Sequence, residues 1–378
     1  AALGGRWLDV SSMLGGSDAA VVTSPEDEIV FALHPEKKLV PASTLKILTA
    51  LVSFHHLGPE FRFKTEFYLD PDKNLVIKGY GDPLLVSEEV EKIAQNLAGK
   101  TDEISGIVVD DSAFAEIDIP GTSAGSHKPY NAPIGALCVN FNTVNLKKTQ
   151  TGYVSAEPQT PLLPSVLKRI RGRGVSGERI LLSSRNSENL VYAGELFAYF
   201  LAENGVRISG PVRPGLADTQ KDRLIHTHRS GFALTETVAL LMEHSNNFIA
   251  NQLLAAAGAQ ACGPPATLEK GLLAARSFAR EKLGISPQIV EGSGISRQNL
   301  MSAEMFVPLL EAFRPYYALL PEENGIYFKT GTLDGIRNRA GYIEVDGKFY
   351  GFAVLINTPD KSAEPVVRKI ASVLRQAD

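Results

Sequence analysis

The stretch Leu45 to Phe54, within PASTLKILTALVSFHHLGP, is apolar on nearly every face of a helix and is closed by Leu57-Gly58-Pro59. A helix without a polar face has to be surrounded, by protein or by lipid. Crossing a bilayer takes about 18 consecutive apolar residues, and neither this run nor any other in the chain is that long. The sequence is therefore obliged to build a domain around this helix. It has the material to do so. At about 150 residues per domain, the chain predicts two domains or three. A hydrophobic content of 44% over 378 residues supports a sizeable core. Lys46 is the one charge inside the run.

The flanking text supplies the wrapping. Ala19 to Thr23 and Glu28 to Leu33 alternate on either side of Ser-Pro-Glu-Asp and predict a β-hairpin. From about Phe61 to about Gly215 the texture changes to short strands punctuated by Gly, Pro and Asp, such as FRFKTEFYL, NLVIKG and ISGIVVDD. One amphipathic helix falls near Glu88 to Leu97. Helices then return over Leu234 to Gly258 (broken near Ser245), Leu268 to Leu283 and Ser302 to Phe313. NGIYFKTGT, RNRAGYIEV and KFYGFAVLIN predict a β-meander with Asp346-Gly347 as a hairpin turn, followed by a closing helix from Ala363 to Arg375. The expected class is α+β. An antiparallel sheet, made of the meander with the N-terminal hairpin at its edge, is covered by helices. The expected division is one domain of 1–60 plus 217–378, with an α+β domain inserted over 61–216.

Three short motifs carry candidate chemistry. Ser43 and Lys46 lie three apart at the start of the buried helix, so they share a face. The Ser43 amide is at the positive end of the helix dipole, and a lysine out of water has a lowered pKa and can act as a base. S-x-x-K is expected about once by chance in a chain of this length, and a second copy, Ser165 to Lys168, does occur. It precedes a basic, Gly-rich stretch with no buried helix behind it and is expected to be a solvated strand or loop. Ser245-Asn246-Asn247 sits in the break of a long helical region. Ser184-Arg185-Asn186 and Ser187-Glu188-Asn189 share the S-x-N pattern, and helix capping is the default account of all three. Lys329-Thr330-Gly331-Thr332 ends an alternating strand, where a glycine permits close backbone approach. The ordinary alternative is an edge strand with a solubilising lysine.

The order decides between these readings. S-x-x-K, S-x-N and K-T-G follow one another on a buried helix, a helix break and a strand near the chain end, the motif set of penicillin-binding proteins and class A β-lactamases. The interval between Ser43 and Ser245 is far longer than a minimal β-lactamase accommodates. The chain resembles the D-alanyl-D-alanine carboxypeptidase/endopeptidase family, the class C low-molecular-mass penicillin-binding proteins. GYGDPLL, VVDDSAF, YNAPIGAL, NGVRISGPV and EGSGISRQN extend the resemblance over nearly the whole chain.

The resemblance implies a penicillin-recognising, β-lactamase-like catalytic domain. It implies a serine peptidase that acts through an acyl-enzyme on Ser43 and is inhibited by β-lactams, with peptidoglycan stem peptides as substrates and no cofactor or metal. Lys46 would take the Ser43 proton. Ser245, tuned by Lys329, would relay it to the leaving amine, and Asn247 would hold the substrate amide. The amides of Ser43 and Thr332 would form the oxyanion hole. Thr330, Gly331 and Thr332, with Lys329, would bind the terminal carboxylate, Tyr130 would line the pocket, and Gly292-Ser293-Gly294 would pack nearby in support. The alternatives are a β-lactamase and a cell-wall-binding module with a silent site. The family's location implies export with loss of a signal segment, to the periplasm or another extracytoplasmic compartment. Weak association with the membrane or the cell wall stays open. Two departures stand out. Lys147 to Asn189 is short for the family's nested third domain, which is expected to be reduced or absent. SAGSHKPYNAP also lacks the acid that often precedes this segment to hold a side-chain amine.

Other features point elsewhere only weakly. A formal net charge of −4 gives no sequence-wide argument for binding nucleic acid. Cys138 and Cys262 are too few for a disulfide scaffold or a cysteine zinc site, and are expected to be two buried free thiols. Gly172-x-Gly174-x-x-Gly177 matches a dinucleotide fingerprint by letters, but a strand-like ERILL follows where a helix is required. His226-x-His228 would share a strand face but lacks a third metal ligand. His55-His56 reads as the end of the buried helix, and His244 as a partly exposed helix end beside Ser245.

Overall fold

The computed structural model describes residues 2–123, 125–171 and 174–376. A six-stranded antiparallel sheet runs in the order Glu322–Glu323, Ile326–Leu333, Ile336–Val345, Lys348–Ile356, Asp18–Thr23, Ile29–Leu33. The N-terminal hairpin thus joins the C-terminal meander along Asp18↔Ile356 to Val22↔Phe352 and forms one edge. The tight connection at Asp346-Gly347 has positive φ at both residues. That is the geometry a twist-matched two-residue hairpin turn requires.

Both faces of this sheet are covered, and the strands obey period two on each side. Ala19, Val21, Ala353 and Leu355 face the core containing the helices Lys46–Leu57, Leu234–His244, Asn247–Cys262, Leu268–Lys282 and Phe306–Phe313. Ala20, Val22, Phe352, Val354 and Ile356 face a second layer holding Val10 and the apolar side of Ala363–Arg375. Lys46–Leu57 is buried from Lys46 to Phe54 and ends at Gly58, whose positive φ stops the helix. The amphipathic closing helix has the bounds its pattern predicts.

The inserted part has its own core and a five-stranded sheet, ordered Val212–Pro214, Ile107–Asp110, Leu75–Gly79, Lys64–Leu69, Arg223–Arg229. The last strand, which carries His226 and His228, pairs antiparallel with Lys64–Leu69. Helices Ser87–Ala98 and Asn186–Glu203 cover this sheet, and Thr143–Thr149, Gly152–Ser155 and Arg179–Leu181 make a smaller one.

Several local expectations are corrected. The second S-x-x-K lies on a helix, Pro164–Ile170, not on a strand or loop. Val166 and Ile170 turn into the core, Lys168 is exposed, and the Ser165 hydroxyl donates to Glu195. Helices Ala2–Ser12 and Asn186–Glu203 carry no clear signal in the flanking text. No side chain caps the start of Asn186–Glu203. There Ser183 Oγ accepts from Arg185 N, so neither S-x-N copy at 184–189 is a cap. Cys138 is buried and free, but Cys262 is exposed at the end of its helix. Gly172 of the dinucleotide-like run lies outside the described residues, and Arg179–Leu181 is a strand, as ERILL suggests. Among the described residues no helix is long and apolar enough to cross a membrane.

Candidate active site

Ser43 sits in a single tight turn, Ala42–Leu45, that leads directly into Lys46–Leu57. Ala42 before it has a positive, left-handed φ. That conformation costs a non-glycine residue about 1–3 kcal/mol and persists only where its surroundings enforce it. Two glycines show what enforces it. A Cβ on Gly294 would lie 1.9 Å from Ala42 O, and a Cβ on Gly331 would lie 2.6 Å from Pro41 O. The Gly292-Ser293-Gly294 turn and the K-T-G strand therefore press against the serine turn from two sides. From the adjacent strand, Asn338, paired opposite Gly331, donates its side-chain amide to Val40 O and Pro41 O, each at 2.9 Å.

Lys46 is fully buried, and its Nζ meets three oxygens: Ser43 Oγ at 2.7 Å, Asn247 Oδ1 at 2.8 Å and Ser293 O at 2.7 Å. Burial, reinforced by the Lys329 charge and opposed by Glu291, holds its pKa well below the usual lysine value. A neutral amine has two N–H donors and one lone pair. Asn247 Oδ1 and Ser293 O can only accept, so they take both N–H groups. The lone pair is left for the Ser43 hydroxyl, which is the geometry of a serine activated by a lysine base.

Lys329 is likewise buried, on Ile326–Leu333, and donates to Thr330 O at 3.0 Å. Burial lowers its pKa to about 8. Thr330 and Thr332 are exposed on the same strand. Ser245 occupies the break between Leu234–His244 and Asn247–Cys262 in a left-handed conformation, and the neighbouring Asn246 caps the second helix by accepting from Ile249 N. Tyr130, 55% exposed, lies on Pro129–Asn131, and its carbonyl accepts from Asn247 Nδ2 at 3.4 Å. Tyr130, Ser245, Asn247, Phe141, Phe248 and Arg179 line a cleft of about 610 Å³ beside the serine; its lining includes neither Ser43, Lys46 nor the K-T-G strand and, among the described residues, no carboxylate.

The structure thus brings Ser43 and Asn247 each onto the Lys46 amine and sets the K-T-G strand against the serine turn. Ser245 flanks Asn247 and faces the cleft, and its hydroxyl makes no hydrogen bond among the described residues. Sequence reasoning missed Glu291, Asn251 and Thr49. Thr49 Oγ1 donates to Gly292 O at 2.6 Å, and Asn251 joins the Asn247 helix to Glu291 and Gly292. The one available signal is that Glu291 is the only charge between Lys282 and Arg297.

Residues 8–168 and 155–321 match the D-Ala-D-Ala carboxypeptidase 3 (S13) family. The chain belongs to that family. It is a serine-type peptidase of the D-Ala-D-Ala carboxypeptidase family. The family match ends before Lys329, but a D-alanyl-D-alanine carboxypeptidase of Actinomadura sp. (strain R39) is 24% identical over 96% of this chain and 81% of its own length. The D-alanyl-D-alanine carboxypeptidase DacB of Haemophilus influenzae is 23% identical over 88% of this chain and 83% of its own. Among solved structures, penicillin-binding protein 4 of Haemophilus influenzae superposes with a TM-score of 0.78 at 20% identity, covering 98% of both chains. A predatory endopeptidase of Bdellovibrio bacteriovorus gives 0.55 at 16% identity, covering 95% of this chain and 92% of that one.

Proposed function

We propose that the enzyme cleaves stem peptides ending in D-Ala-D-Ala, or the cross-links derived from them, with Ser43 as nucleophile and Lys46 as its base. The contact of 2.7 Å between a fully buried Lys46 Nζ and Ser43 Oγ carries the assignment. Ser43 Oγ attacks the carbonyl of the scissile bond and its proton passes to Lys46. The tetrahedral oxyanion is held by the amides of Ser43 and Thr332. Collapse breaks the C–N bond, and the leaving amine takes a proton relayed through Ser245, with Lys329 tuning the relay. Water then attacks the ester and releases Ser43.

Asn247 has two duties in this scheme, fixing Lys46 through Oδ1 and presenting Nδ2 toward the substrate amide. Thr330 and Thr332 bind the terminal carboxylate beside Gly331, with Lys329 supplying charge, and Tyr130 lines the side-chain cleft. β-Lactams acylate the same serine. Peptidoglycan lies outside the cytoplasmic membrane, so the work is extracytoplasmic, in the periplasm or its equivalent, and implies export. A division into two parts belongs to the same proposal, with the second boundary moved from 216/217 to beyond Arg223–Arg229, because that strand pairs with Lys64–Leu69 of the inserted sheet.

Intact-mass spectrometry after exposure to benzylpenicillin, run beside Ser43→Ala, tests the reading. A stable adduct that vanishes in the variant supports it. Antibiotic consumed without an adduct would indicate a β-lactamase, and antibiotic left intact without an adduct would leave a binding role.

A further inference from the structure

Glu291 touches neither Ser43 nor Lys46, yet it is the most heavily bonded side chain near them. It is 1% exposed. Its Oε2 accepts from Ser293 N and Ser293 Oγ, both at 2.6 Å, and from Asn251 Nδ2 at 3.1 Å. Its Oε1 accepts from Gly294 N at 2.7 Å, Asn299 Nδ2 at 2.6 Å and Ser296 N at 3.3 Å. Six donors on one carboxylate satisfy a buried anion without a counter-cation bonded to it.

The direction of these bonds matters more than their number. In a trans peptide the carbonyl of one residue points opposite to the N–H of the next. Drawing Gly294 N–H toward Glu291 therefore turns Ser293 C=O the other way, onto Lys46 Nζ at 2.7 Å. Ser293 O fixes one of the two N–H groups of the Lys46 amine, and Asn247 Oδ1 fixes the other. The helix bearing Asn247 is tied to the same carboxylate one turn on, through Asn251. Both acceptors that aim the lone pair at Ser43 are thus anchored to one anion.

We propose that Glu291 is the positioning residue of the general base: it orients the Lys46 amine through Ser293 O and Asn251. The proposal rests on the reading of Ser43 and Lys46 as nucleophile and base. Two ionised groups act on Lys46 from the elements packed around it, Lys329 from the strand and Glu291 from the loop, with opposite sign. Asn251, Ser293, Ser296 and Asn299, which face Glu291, do not titrate in the working range.

The test is the pH profile of the second-order acylation constant with benzylpenicillin, for the parent, Glu291→Gln and Glu291→Asp. An acylated parent secures the underlying reading, so its failure is visible separately. In Glu291→Gln the negative charge that favours the ammonium is gone. The acid limb should move down by about half a unit or more, while the plateau falls about 10- to 100-fold as Ser293 O loses its aim. Glu291→Asp keeps the charge, so its limb should stay close to that of the parent while the plateau falls. A limb that stays put in Glu291→Gln, in protein of parental circular dichroism, overturns the assignment. If Glu291→Gln does not fold, Ser293→Ala removes one Glu291 donor and the acceptor of Ile295 N, and leaves every Lys46 partner. A fall of several-fold in its plateau supports the proposal, and an unchanged plateau sinks it.

Discussion

Replacing Gly331 by alanine asks whether the active site depends on close approach between the K-T-G strand and the serine turn. The added Cβ would lie 2.6 Å from Pro41 O and 3.1 Å from both Thr44 N and Thr44 Cγ2. Relieving a 2.6 Å contact to the 3.0–3.4 Å range of tight real contacts requires the two elements to part by about 0.4–0.8 Å. Pro41 O cannot yield alone, because it accepts from Thr44 Oγ1 at 2.6 Å and from Asn338 Nδ2 at 2.9 Å. The strand cannot yield alone either, being paired from Ile326↔Ile343 to Leu333↔Ile336. Overpacking of this kind costs about 1–3 kcal/mol of stability. A misplacement of about 1 Å costs about 100-fold in rate, so roughly half that displacement should cost about 10-fold in acylation. Stopped-flow acylation by a chromogenic β-lactam and thermal unfolding measure the two quantities. Acylation within twofold of the parent, with undiminished stability, would refute the argument that the glycine is there for proximity.

Four further outcomes follow from the same geometry. Lys46→Met should lower the acylation constant by about 10²–10⁴-fold, the usual worth of a positioned base, measured by adduct formation over time. Lys329, with its pKa lowered to about 8 by burial, is charged below that pH and neutral above it. The KM of a substrate with a free terminal carboxylate should therefore rise as the pH passes upward through the Lys329 pKa, while that of its carboxamide analogue should not. Asn338→Ala removes bonds to Val40 O, Pro41 O and Ile356 N. It should cost about 2–4 kcal/mol in urea unfolding, since buried backbone groups are left unpaired. Among the described residues the cleft lining has His244 and Arg179, the latter ion-paired with Glu157, but no carboxylate of its own, so acetylating the side-chain amine of a stem peptide should change kcat/KM by less than about threefold; a 10-fold loss would mean that an acid does reach it.

Much of the architecture is readable because its cause is local. A helix without a polar face must be interior, Asp-Gly sets a tight hairpin, and alternation marks strands, so the buried helix, the meander and the closing helix follow from the text. Asn186–Glu203 is not readable in this way. It buries Leu190, Leu196, Phe197 and Leu201 but also Asn189, Gly194 and Tyr192, which blurs the period. Ser165 to Lys168 misleads for a related reason. Pro164 and a basic neighbourhood look like a loop, whereas the packing of Val166 and Ile170 makes a short helix. Arg223–Arg229 alternates poorly because it is an edge strand whose exposure is set by its partner rather than by its own pattern.

The site divides along the same line. Ser43 and Lys46 are legible because their relation is three residues on one helix face, and their contact depends on little else. What makes that contact productive is not local. A neutral Lys46 has two N–H groups to place, and the oxygens that take them come from Asn247 and Ser293, far along the chain. Ser293 O is aimed by a carboxylate that never touches the lysine, and although the sequence marks Gly331 as a point of close approach, it does not say that the serine turn is what approaches. Burying Lys46 is tolerable because desolvation and the Lys329 charge favour its neutral amine against the opposing pull of Glu291. A substitution at Lys329 or at Glu291 should therefore change the ionisation of Lys46, so its effect on acylation should not add to that of a substitution at Lys46.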